Sequence, residues 1–144
     1  MRGFEKPRSA DSRVSQVASI DSASEVVTTI LIVEDEELLR LAVGKALTRR
    51  GFLVLEARDG NEAISALGDY TGDIHLMLLD LTLPGISSRE VFEHAKRTRP
   101  TIKVILTSAY PKKTAEATFA GLMADLFIRK PYSVADLVDS LRSL

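Results

Sequence analysis

Short apolar runs and helically spaced segments take turns along this chain, and that alternation restricts its fold more than any other feature. The runs are Ile30-Leu31-Ile32-Val33, residues 52–55, residues 74–79, residues 102–107 and residues 126–128. Each is too short for a stable helix and reads as a strand buried on both sides. Strands separated by helical segments pair in parallel, because every crossover returns the chain to the same edge of the sheet. The expectation is an α/β protein: a five-stranded doubly wound parallel sheet with helices on both faces and strand order 2-1-3-4-5.

The helical segments carry their own punctuation. Residues 36–50 put Leu39, Val43, Ala46 and Leu47 at helical spacing, with acids in the first turn, arginines in the last and Gly51 at the C-cap position. Gly60 begins a shorter helix that Gly68 should close. Ser87-Ser88-Arg89-Glu90 has the Ser-x-x-Glu capping spacing and opens a third helix ending near Pro100. Pro111 starts a fourth that runs to about Ala120 ahead of Gly121, and Ser133 caps the last.

Residues 1–27 break the pattern: they are polar, serine-rich and poor in large apolar groups, as in Arg8-Ser9-Ala10-Asp11-Ser12-Arg13. Such a stretch buries too little surface to offset its ordering entropy. It is expected to be a flexible leader or linker, with at most a weak helix over residues 14–20, ahead of one folded domain over residues 28–144.

Composition removes several function classes. Lys and Arg number 19 against 20 Asp and Glu, so the net charge of -1 makes no electrostatic case for nucleic acid or an anionic membrane. Zero cysteines exclude disulfides, thiolate catalysis and zinc-thiolate sites. No apolar run reaches membrane-spanning length and no signal segment opens the chain, which makes a cytoplasmic protein the default.

Four of the runs end in polar residues: Glu34-Asp35, Asp80, Ser108 and Lys130. In an open α/β sheet the carboxyl ends of the strands form the ligand crevice. Three acids, a hydroxyl and a lysine gathered there make a site for a divalent cation and a phosphoryl group.

These residues resemble the receiver domain of two-component response regulators. The likeness covers residues 28–144 and rests on four motifs, each after its own strand: Glu34-Asp35-Glu36, Asp80-Leu81-Thr82-Leu83-Pro84-Gly85, Thr107-Ser108-Ala109-Tyr110 and Lys130-Pro131. It implies the flavodoxin-like (βα)5 fold and a phosphoryl acceptor at Asp80, loaded by a phosphohistidine on a sensor histidine kinase or histidine phosphotransfer protein. A carboxylate is a poor nucleophile toward an anionic phosphoryl group and needs a cation beside it. Asp35, Asp80 and the Thr82 carbonyl would supply hard oxygen ligands to Mg²⁺, with Glu34 in the outer shell. Lys130 would hold the phosphoryl oxygens as a point charge, aimed by Pro131, whose preceding bond is typically cis in receivers. Ser108 would donate its hydroxyl to the phosphoryl group and Phe127 would follow it, altering a surface read by a downstream protein target. Ser108 lies 22 positions before Lys130, the interval receivers commonly keep, with Thr107 as the fallback. The chain departs from common receivers in carrying Glu34 where aspartate is usual and Ser88 where many have glycine.

Blander readings stand beside these. Glu36 and Glu37 favour a helix N-terminus, and His75 and His94 read as structural or solvated. The receiver reading makes this a signalling phosphoacceptor that assists its own phosphorylation and dephosphorylation, not an enzyme with a separate substrate; homodimerisation is left open. The competing classes are an aspartate-nucleophile phosphatase and a phosphorylation-independent interaction module. The phosphatase wants a second aspartate two residues after the nucleophile, where this chain has Thr82.

Overall fold

A computed structural model describes residues 27–118 and 123–144. The leader expected over residues 1–27 therefore lies almost wholly outside the described residues, as do the weak helix over 14–20 and the end of the fourth helix near Ala120.

Among the described residues five strands and five helices alternate: β1 (Thr29–Val33), α1 (Glu37–Arg49), β2 (Leu53–Ala57), α2 (Gly60–Asp69), β3 (Leu76–Asp80), α3 (Ser88–Thr98), β4 (Lys103–Ser108), α4 (Lys112–Thr118), β5 (Leu126–Arg129) and α5 (Val134–Arg142). All pairings are parallel and the sheet order is β2-β1-β3-β4-β5, as expected.

The period of two along each strand splits the core into two layers. Ile30, Ile32, Leu76, Leu78 and Ile105 pack with Val43 and Leu47 of α1 and Leu137, Val138 and Leu141 of α5. Their neighbours Leu31, Val33, Met77, Leu79, Val104 and Leu106 face the other way, onto Ala63 and Leu67 of α2 and Val91, Phe92 and Ala95 of α3. Every residue of β1 and β3 is buried, which is why these strands lack polar alternation.

Local chemistry ends the helices largely as read. Gly51 takes φ 93°, with the Gly51 N–H on the Thr48 carbonyl and the Phe52 N–H on that of Leu47, a Schellman stop. Ser87 accepts the Glu90 N–H at 3.2 Å and Ser133 the Asp136 N–H at 3.0 Å. Two details differ. Gly68 lies inside α2 and does not close it; the helix runs on to Asp69, with Tyr70 as its C-cap. Its start is capped by Asp59, whose carboxylate accepts the Glu62 N–H at 2.9 Å. Beyond α2, Arg99 donates to the carbonyls of Leu67, Tyr70 and Gly72 at 2.9, 2.6 and 2.9 Å, tying the α2–β3 connection to the end of α3. Among the described residues no helix is long and apolar enough to cross a membrane.

Candidate functional site

The parallel register decides which polar residues meet at the carboxyl edge. Val33 pairs with Leu79, Asp80 with Thr107, and Ser108 with Arg129. Glu34 therefore leaves β1 beside Asp80, and Lys130 leaves β5 one step past Arg129.

There the Lys130 ammonium sits 2.7 Å from Glu34 Oε1 and 3.4 Å from Asp80 Oδ1. Glu34 and Asp80 are both buried, while Asp35 is exposed at the mouth. Glu34, Asp35 and Asp80 each offer an oxygen, and these oxygens lie within 4.8 Å of one another. The sequence-level grouping of the three acids with Lys130 thus corresponds to a single cluster in space.

Backbone geometry fixes the cluster. The Lys130 N–H donates to the Ser108 carbonyl at 2.8 Å, and the Lys130-Pro131 bond is cis. The Thr82 N–H donates to Asp80 Oδ1 at 3.3 Å. Glu34 has two duties, because its other oxygen accepts the Glu36 N–H at 3.1 Å and so caps the start of α1, where Glu36 makes no side-chain cap. That one side chain thus supports the helix terminus and also lies in the acid cluster.

Ser108 is buried at the same edge, and its hydroxyl accepts the Tyr110 N–H at 2.9 Å. Thr107, equally buried, lines a small internal space with Glu34, Arg40 and Tyr132. Phe127 is half-buried against the layer containing α2 and α3. Neither histidine joins the cluster: His75 Nδ1 accepts the Thr29 N–H at 2.9 Å, and His94 lies on α3 beside Arg97.

Sequence reading missed Arg40. Its guanidinium donates to the Glu34 carbonyl at 2.9 Å and to Glu56 Oε1 at 3.1 Å, bracing the β1–α1 turn against β2. Nothing local marks it, since Glu56 lies 16 positions away on the neighbouring strand.

The electrostatics follow from burial and crowding. Burial, and then the charge of Glu34, push the Asp80 carboxyl up to about 7, against the opposing pull of Lys130 and the Thr82 N–H. Burial pulls the Lys130 ammonium down, but its hydrogen bond to Glu34 and the charge of Asp80 outweigh that and hold it above the ordinary lysine value. Burial, with the same two acids, raises the Tyr132 phenol to about 12. Three carboxylates facing one ammonium leave an excess of negative charge. That donor set, all hard oxygen, fits a small divalent cation.

Residues 30–142 match the response regulator receiver domain family. Response regulator RR06 of Streptococcus pneumoniae is 36% identical over 115 residues, 80% of this chain and 52% of that protein. Sensor kinase CckA of Brucella abortus is 30% identical over 150 residues, taking in 99% of this chain and 15% of the kinase. Among solved structures, response regulator protein TrrA from Thermotoga maritima, in complex with Mg(2+)-BeF, superposes with a TM-score of 0.66 at 26% identity, over 81% of this chain and 98% of that one. The chain spans about half the length of RR06 and a smaller share of CckA.

Proposed function

The chain belongs to the response regulator receiver domain family, the phosphoacceptor modules of two-component signalling, and from that membership we propose that Asp80 is the residue that takes the phosphoryl group. The observation that carries this reading is the Lys130 ammonium 3.4 Å from the buried Asp80 carboxylate. One carboxylate oxygen forms the new P–O bond as the P–N bond of a phosphohistidine breaks; the imidazole leaves with the electron pair and is protonated. Lys130, already bridging Glu34 and Asp80, holds its charge where the transferred oxygens arrive. Ser108 donates its hydroxyl to another of those oxygens, with Thr107 as the fallback donor.

Asp35, Asp80 and the Thr82 carbonyl would hold Mg²⁺, with Glu34 behind them, and the acid cluster within 4.8 Å supports that assignment. Bound there, the ion would neutralise charge between the attacking and transferred oxygens. The similar Thermotoga regulator was solved with Mg(2+)-BeF, which favours the same metal here. The donor would be a histidine on a sensor kinase or phosphotransfer protein. The output would be a protein contact near α4 and β5 that responds through Phe127, with the chain working in the cytoplasm.

The test is labelling by a small phosphodonor such as acetyl phosphate with Mg²⁺. Acid-stable, hydroxylamine-labile label should appear on the parent and vanish in Asp80→Asn. Label that persists in the variant sinks the assignment.

A further inference from the structure

Ser88 stands where many receivers carry glycine, and its surroundings give it a task. It is 3% exposed. Its hydroxyl donates to the Asp80 carbonyl at 2.5 Å and is shared with the Leu81 carbonyl at 2.9 Å. Ser87, next to it, does the ordinary capping of α3, so the two serines face different ways. Ser88 ties the first residue of α3 back to the last residue of β3, across the turn that carries Thr82.

The far side of that turn is held as well. A Cβ on Gly60 would lie 2.8 Å from both Cβ and the carbonyl oxygen of Ile86, so the start of α2 abuts the loop directly. Between these anchors Thr82, Pro84 and Gly85 are exposed. The free span is therefore short, and the Thr82 N–H stays on the Asp80 carboxylate at 3.3 Å.

We propose that Ser88 is a positioning residue of the phosphoryl-transfer site: its hydroxyl holds the chain leaving β3 in the turn that orients the Asp80 carboxylate and the Thr82 peptide. The inference rests on the function proposed above. Removing the hydroxyl strips a donor from two carbonyls at the buried end of β3, and such a loss is worth about tenfold in an equilibrium. A serine that merely stabilised the fold would change the denaturation midpoint and nothing at the site.

The experiment compares Ser88→Ala, Ser88→Gly and Ser88→Thr with the parent in the full chain. It measures the Mg²⁺ dissociation constant by calorimetry, the urea midpoint, and the rate of labelling at saturating Mg²⁺. Ala and Gly should each weaken Mg²⁺ about tenfold, and Thr, which keeps the hydroxyl, should stay within about twofold of the parent. An unchanged Mg²⁺ constant in Ala and Gly, whatever the urea midpoint does, overturns the proposal. A parent that takes label on Asp80 while Ser88→Ala binds Mg²⁺ normally overturns this inference alone. A parent that neither binds Mg²⁺ nor takes label removes the functional reading and this inference with it.

Discussion

Replacing Asp80 by asparagine should make the metal-free protein more stable, although it abolishes the proposed function. The Asp80 carboxyl is raised from 3.8 to about 7, first by burial and then by the charge of Glu34. A raised carboxyl means that the folded protein holds the proton more tightly than the unfolded chain does. Its contribution to stability is therefore fully present below pH 3.8 and lost as pH rises through about 7. About three pH units at about 1.4 kcal/mol each put the ceiling near 4 kcal/mol. Asparagine keeps the shape and an acceptor for the Thr82 N–H, while Lys130 keeps its 2.7 Å bond to Glu34. At about pH 8 with a chelator, Asp80→Asn should gain roughly 2 to 4 kcal/mol over the parent, shrinking toward zero near pH 4. Urea denaturation followed by circular dichroism at both pH values measures this. Adding Mg²⁺ should then stabilise the parent more than the variant, because only the parent keeps the full ligand set. A parent as stable as the variant at about pH 8 in chelator would falsify the claim that crowding and burial dominate this carboxylate.

Lys130→Met should leave Glu34 and Asp80 without their ammonium, costing about 3 kcal/mol at neutral pH in chelator; a small-donor labelling rate within twofold of the parent, by contrast, would deny the lysine its role. Arg99→Ala frees three carbonyls around the α2–β3 connection, and a loss of about 2 to 4 kcal/mol in urea midpoint analysis is expected, with Mg²⁺ affinity unchanged. Asp59→Ala removes the α2 cap and should cost about 1 kcal/mol; no measurable change would show that the capping bond contributes nothing. Arg40→Ala should loosen the β1–α1 turn and weaken Mg²⁺ binding through Glu34, an effect that Arg40→Lys only partly restores because lysine lacks the forked geometry; equal affinities in all three proteins would place Arg40 outside the site's support.

Family membership was legible because receivers put short motifs after separate strands, and four such motifs occur here in order. Glu34, Asp80 and Lys130 are far apart in the chain, yet each follows an apolar run, and strand ends in a parallel sheet share one edge. That rule brings them together without any knowledge of distances. The second helix was read too short because glycine was taken as a stop, whereas Gly68 is carried by a helix whose Ala63 and Leu67, on one face, pack into the core. Tertiary burial outweighs a propensity difference of about 1 kcal/mol. The Ser88 departure was visible as a letter but not as a contact, since its partners Asp80 and Leu81 lie across a turn whose course no spacing rule predicts.

Periodicity is a local property, and it alone determined the order of strands and helices, the two faces of the sheet and the edge at which the polar residues collect. The folded arrangement decided the rest: that Glu34 both caps α1 and meets Lys130, that Arg40 braces the turn, and that burial and the charge of Glu34 raise the Asp80 carboxyl. Those outcomes depend on desolvation and on charge separations of a few ångströms, and such quantities exist only once distant segments have been packed against one another.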